Sequence, residues 1–343
     1  MAATVLVVDA DLSTSRNWEL LFEANGYKVI AADNGNSALE QCRGAQPDLV
    51  LLSSALPGLS GLEVCRHLKS APLTRYTPVV VMLPAAELPG PLPSKQEAME
   101  AGADDFWGPC NSQAEALNRV QTVLQLKSYI DRQAEAVVLS LARSLDAKDP
   151  GTEGHSERLV CYALQLATDL GFSGEELAVL RIASLLHDIG KVAIPDAVLS
   201  KPGRLTPVEM ELMRQHPVVG ENICAPLRSF REALPAIRHH HERVDGSGYP
   251  DRLKGEEIPL HARIVQIADI YDALTTDRPY REAMAQEWAL AVMMTEAYHG
   301  WLDLSLVSRF VRLRQENRFL APPRVPGLNI ARAGLTACKT ESA

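Results

Sequence analysis

The stretch from Ser173 to Lys191 constrains the chain more than any other. Leu177, Val179, Leu180, Ile182, Leu185 and Leu186 leave it no polar face before His187, Asp188, Ile189, Gly190 and Lys191 follow. Ser173 with Glu176 has the spacing of a capping box, so a helix is expected to start there and to be stopped by Gly190. A helix apolar on nearly all sides is buried. An unpaired Asp188 carboxylate inside it would cost on the order of several kcal/mol, so the position calls for a cation, with His187 as a suitable co-ligand.

The other imidazoles lie in the same half of the chain. Of nine histidines only His67 precedes residue 150, while seven fall between His155 and His261. Thr206-Pro207-Val208-Glu209 predicts a second helix start, with Pro in the first turn and Glu as cap, and that helix is expected to end at His216-Pro217. His239-His240-His241-Glu242 then meets Asp245-Gly246-Ser247-Gly248-Tyr249-Pro250, whose glycines permit turns closed to other residues. Asp269 and Asp272 sit within an apolar helix, one expected to ligate metal and the other to hold structure, with Arg278 and Arg281 just beyond.

Composition limits the alternatives. A length of 343 residues suggests two domains, and 46% hydrophobic with 22% charged residues is the balance of a folded soluble protein. No run approaches the roughly 18 apolar residues of a membrane span, and no signal-peptide pattern opens the chain, so the expectation is cytoplasmic. The six cysteines are scattered and read as reduced structural thiols. A net charge of -9 excludes a broad groove for a nucleic-acid polymer but not a pocket for a small nucleotide.

The first half reads differently. Thr4 to Val8, Lys28 to Ala31, Leu49 to Leu52 and Val79 to Leu83 are expected strands alternating with helices, which predicts an α/β doubly wound parallel sheet. Their carboxyl ends carry Asp9-Ala10-Asp11, Ser53-Ser54 and Pro84, where ligands of such folds bind. VLVVDAD, PDLVLLSSALPGLSG and AGADDFWGPC resemble a response-regulator receiver domain of flavodoxin-like fold over residues 1–125. The departures are chemical. Ser53 stands where the family has its phosphate-accepting Asp, Ala10 replaces one of the acidic metal pair, and Pro84 and Gly108 replace the switch Thr and the Lys. The resemblance therefore implies a receiver-like regulatory domain with protein partners but no phosphorylation site.

Residues 112–148 contain neither Gly nor Pro and start with Ser112 and Glu115 at capping-box spacing, so a long connecting helix is expected. Leu117, Val120, Leu124, Ile130, Ala134, Val137 and Leu141 give it an apolar stripe, interrupted at Lys127, that either packs on the domains or pairs in a homodimer.

HDIGKVAIPD, KPGRLT, HHERVDGSGYP and ADIYDALTTDRPYR resemble, in the expected order, the HD-GYP branch of the HD-domain phosphohydrolases, over a domain spanning residues 133–320. The resemblance implies an all-α HD-type domain and hydrolysis of cyclic di-GMP to linear pGpG or GMP. It also implies two divalent ions, iron or manganese, since a Glu that three-metal members carry is Gly151 here and Glu153 is out of phase. Carried over by motif, one ion takes His155, His187, Asp188 and Asp269. The other shares Asp188 and takes His216, His240 and His241, leaving His239 outside. A bridging hydroxide would attack the phosphodiester, Lys191 would stabilise the transition state or protonate the leaving oxygen, Arg278 and Arg281 would hold the other phosphates, and Tyr249 would make a stacking or hydroxyl contact with the substrate. The rival expectations are an adaptor that binds a cyclic dinucleotide without cleaving it, and an enzyme for another nucleotide. The tail, 321–343, is expected to lack stable structure.

Overall fold

The computed structural model describes residues 2–83, 93–108, 112–148, 154–277 and 281–316. Pro84, Gly151, Glu153, Arg278 and the tail 321–343, each weighed above, lie outside them. The chain divides into two compact units, residues 1–133 and 134–343.

The first unit is a parallel sheet in the order β2-β1-β3-β4-β5, with β1 Thr4–Val8, β2 Lys28–Ala32, β3 Leu49–Ser53, β4 Val79–Met82 and β5 Asp105–Trp107. Helices α1 Leu12–Ala24, α2 Gly35–Ala45, α3 Gly61–Ser70 and α4 Lys95–Glu100 alternate with the strands. Every residue of β1, β3 and β4 is buried, as expected of strands covered on both faces. The side chains divide into two cores, Leu6, Val8, Val50, Leu52, Val79 and Val81 on one face and Val5, Val7, Leu49, Leu51 and Val80 on the other. The fifth strand is too short to announce itself by periodicity. Pairing with β4 holds it, and the Asp105 carboxylate accepts from Phe106 N–H at 2.8 Å and Trp107 Nε1 at 2.6 Å.

At the carboxyl end of the sheet, Asp11 is spent on capping α1, accepting from Ser13 N–H at 3.0 Å and Thr14 Oγ1 at 2.7 Å. Asp9 is buried, and burial raises its carboxyl above the usual range. Ser53 at the acceptor position is 1% exposed, its hydroxyl turned to the Ala55 carbonyl.

Helix α5 runs unbroken from Gln113 to Lys148, with Glu115 N–H donating to Ser112 Oγ at its start. Ala116 and Val120 enter the core of the first unit, and Ala142 enters that of the second. Ile130, Val137 and Leu141 of the expected apolar face are exposed, as is Leu126, and Lys127 pairs with Asp131.

The described part of the second unit is helical: α6 His155–Asp169, α7 Gly174–Leu186, α8 Asp196–Leu199, α9 Pro207–Met213, α10 His216–Cys224, α11 Leu234–His239, α12 Leu260–Thr275, α13 Gln286–Tyr298 and α14 Leu304–Gln315, with short 3-10 turns between some of them. Leu159, Leu164, Leu180, Leu186, Ile237, Ile264, Val265 and Phe310 share one core.

Candidate metal centre

Helix α7 is buried as its sequence requires, but it ends at Leu186, four residues before the expected stop. His187 caps it with its ring 1% exposed, and residues 189–193 wind as a 3-10 turn in which Lys191 N–H donates to the Asp188 carbonyl. That tighter turn folds Lys191 back, so its Nζ lies 2.5 Å from Asp188 Oδ2. Gly190 is needed for closeness rather than for a stop. Its backbone abuts the start of α10, where a side chain could not fit.

His216 was expected on the last turn of the helix begun by Thr206. That helix stops at Met213, and His216 opens α10, with Pro217 in the first turn where no amide hydrogen is needed. The effect is to aim His216 into the centre. Its Nε2 lies 3.2 Å from Asp188 Oδ1 and 3.3 Å from His240 Nε2. His240 follows α11, and its ring is 4.1 Å from that of His241.

Two groups of donors share Asp188, and a third, His239, Glu242 and Asp251, lies apart from it. Asp188, His216, His240 and His241 each offer an atom within 4.8 Å of the others, as do His155, His187 and Asp188. Asp269 lies beside the second group, its Oδ1 3.5 Å from His155 Nε2. His239 stands outside both, 3.5 Å from Asp251.

The residues fit divalent ions on chemical grounds. His187, His216 and His240 direct Nδ1 to the carbonyls of Ser184, Met213 and Ile237 at 2.7–2.8 Å. A carbonyl can only accept, so Nδ1 is the donor and Nε2 of a neutral ring keeps its lone pair. Those lone pairs point at one another and at Asp188, an arrangement that only positive charge between them stabilises. His187 Nε2 and Asp188 Oδ1 are buried without hydrogen-bond partners. Burial drives His240 well below the usual imidazole range, the neighbouring rings adding to it, and pushes His241 down to about 3, which keeps both available as ligands. Burial opposes the charge on Asp188, but Lys191 and His187 outweigh it and hold the carboxyl well below its ordinary value. His187 is pushed up to about 9, Asp188 outweighing burial, which marks how strongly that corner favours positive charge.

Around this cluster the loop after α11 is tied down by Glu242, a 0% exposed carboxylate. It accepts from the N–H groups of Asp251 at 2.6 Å, Arg252 at 3.0 Å and Leu253 at 3.2 Å. Of the two expected turn glycines, Gly246 has a φ of +82°, whereas Gly248 serves close approach: a Cβ there would meet Arg243 N at 2.3 Å. The loop stacks Tyr249 on His241, ring centroids 4.9 Å apart and 28° between planes. Arg214, which the sequence pattern had not singled out, lies over the Tyr249 ring at 5.6 Å from its centroid. Arg281 reaches back to the Ala273 carbonyl of α12, so part of its guanidinium closes that helix end. Asp272, on the same helix as Asp269, faces His155 Nδ1 at 2.7 Å.

Comparison with known proteins agrees with this architecture. Residues 5–121 match the response regulator receiver domain family and residues 140–306 the HD domain family. The cyclic di-GMP phosphodiesterase response regulator RpfG of Xanthomonas campestris pv. campestris (strain 8004) is 36% identical over 322 residues, covering 86% of this chain and 84% of its own. A cyclic di-GMP phosphodiesterase of Thermotoga maritima is 34% identical over 344 residues, covering 91% of each chain. A 3'3'-cGAMP-specific phosphodiesterase 3 of Vibrio cholerae serotype O1 is 42% identical over 173 residues, which is 50% of this chain and 37% of that one. With a receiver domain, an HD domain and identity extending across both, the chain belongs to the family of HD-domain phosphodiesterase response regulators.

Proposed function

We propose that this chain is a metal-dependent cyclic di-GMP phosphodiesterase, hydrolysing the cyclic dinucleotide to pGpG or GMP under a receiver-like domain that does not take phosphate. The observation that carries the reading is Asp188, a carboxylate shared by two groups of inward-facing imidazoles. In it, His155, His187, Asp188 and Asp269 hold one divalent ion, and Asp188, His216, His240 and His241 hold a second. Imidazole outnumbers carboxylate in this set, which favours iron or manganese over calcium. Such ions, when bound, supply Lewis acidity to a phosphodiester and lower the pKa of an attacking water toward about 7.

The rest is done by the chain. Lys191, 2.5 Å from Asp188 and 21% exposed, is placed to meet a phosphoryl oxygen and to deliver a proton to the leaving oxygen. Tyr249 offers a nucleobase a ring face or a hydroxyl beside the ligand His241. Arg278 and Arg281 remain the proposed holders of the non-reacting phosphate, with Arg281 sharing its donors with the end of α12. The exposed Leu126, Ile130, Val137 and Leu141 favour a homodimer through α5. No helix among the described residues is long and apolar enough to cross a membrane, and the proposed setting is the cytoplasm.

Two experiments test the reading. Protein purified anaerobically with iron or manganese is given cyclic di-GMP or 3'3'-cGAMP and the products are separated. Guanine products from cyclic di-GMP are expected, and cleavage of 3'3'-cGAMP alone would move the chain to the specificity named for the Vibrio relative. For the receiver half, incubation with acetyl phosphate and magnesium is expected to give no acid-labile adduct, because the buried Ser53 has no carboxylate to offer.

A further inference from the structure

Three of the inward-facing imidazoles are held by neutral groups: the Nδ1 of His187, His216 and His240 each meets the carbonyl of the residue three before it. His155 opens α6 and is held differently. Its Nδ1 meets the Asp272 carboxylate at 2.7 Å instead. Asp272 is 2% exposed and gripped by Arg158, with Nε to Oδ1 at 2.6 Å and Nη2 to Oδ2 at 2.9 Å. Asp269 and Asp272, three apart on one face of α12, thus bracket one ring, Asp269 at Nε2 and Asp272 at Nδ1.

A carboxylate behind a ligating imidazole raises its basicity more than an amide carbonyl does, and fixes its tautomer and angle. Negative charge is therefore shared unequally. One half of the centre has Asp188, Asp269 and a His155 backed by Asp272. The other has the shared Asp188 and three imidazoles, of which His216 and His240 are backed only by carbonyls. We propose that Asp272, braced by Arg158, is a positioning residue that makes the His155 half of the centre the tighter of the two cation positions and the first to fill.

The inference rests on the two-ion centre proposed above, and a metal titration separates the two. Metal-free full-length protein is titrated with Mn2+, free ion being followed by electron paramagnetic resonance. Wild type is expected to bind two ions in two affinity classes. His155→Ala should remove the tight class and His241→Ala the weak one. Asp272→Asn keeps an acceptor for Nδ1–H but loses the charge, and should weaken the tight class by about 10- to 100-fold while leaving the weak class in place. Fewer than two ions on wild type would overturn the centre itself. Two ions of equal affinity, a tight class that survives His155→Ala, or an Asp272→Asn effect that is absent or equal on both classes would each overturn the asymmetry and leave the centre standing.

Discussion

Gly190 lies so close beneath His216 that a Cβ at residue 190 would come within 1.9 Å of the His216 carbonyl oxygen and 2.6 Å of Gly220 N. This approach lets α10 cross the turn after α7 and sets His216 Nε2 3.2 Å from Asp188. The obstacle is backbone on both sides, so no side-chain rotation can relieve it.

Gly190→Ala should accordingly cost stability and ligands together. Overpacking against backbone typically costs about 1–3 kcal/mol, occasionally more. Chemical denaturation and bound-metal analysis check this, with both values expected to fall; a variant with wild-type stability and metal content would refute the close approach.

Lys191 and Asp188 touch but should separate in kinetics. Asp188→Ala is expected to lose bound metal and turnover together, because the carboxylate belongs to both donor groups. Lys191→Ala should keep metal near the wild-type level and lower kcat by about 100- to 10,000-fold, the usual range for a proton donor. Wild-type turnover in Lys191→Ala would remove it from the chemistry.

Glu242 holds the loop after α11 by three backbone amides and does not itself face the cluster. Glu242→Gln puts amide hydrogens where acceptors are needed. Hydrogen bonds to a buried charge are worth about 1.5–3 kcal/mol, so the unfolding free energy from chemical denaturation should drop by a comparable amount while the metal count stays the same. Loss of metal without loss of stability would point to a ligand role instead.

Arg214, half-exposed, lies over the ring of Tyr249, the proposed nucleotide contact. Arg214→Ala should raise KM for cyclic di-GMP about tenfold, the equivalent of about 1.4 kcal/mol, yet leave hydrolysis of bis(p-nitrophenyl) phosphate unchanged. Equal losses on both substrates would mean that it supports the fold of the site.

Glu209 caps α9, the helix that leads into His216. Lys201 and the Thr206 cap hold its carboxyl down to about 2, against an ordinary 4.5. Its folded value lies below its unfolded one, so its contribution is fully present above about pH 4.5 and is lost as pH falls toward 2. Comparing wild type with Glu209→Gln, the stability difference should shrink across that window; a difference constant from pH 6 to 2 would assign it to shape alone.

Much of this was legible in the residues. Continuous apolar runs such as Leu49 to Leu52 can only be strands buried on both faces, and they form β3 as expected. Six of the seven residues named by motif, all but Asp269, lie in the two donor groups that share Asp188, because imidazoles and carboxylates buried in one domain have few other reasons to gather. Element ends were less legible. The change from α-helix to 3-10 turn at Asp188 follows from α10 packing on Gly190, a contact between residues 26 apart in sequence. The strand Asp105–Trp107 likewise exists because β4 is there to pair with it.

By itself, then, the sequence determined which side chains must be buried, which of them need a cation, and that the receiver half has Ser53 where a carboxylate would accept phosphate. Only the tertiary structure decided how those side chains divide. Asp269 and Asp272 are chemically identical and share a helix face, yet one meets Nε2 of His155 among the ligands and the other meets Nδ1 beside Arg158. A carboxylate takes its role from the partner at its oxygen atoms, and that partner comes from another helix, more than 100 residues away in the chain.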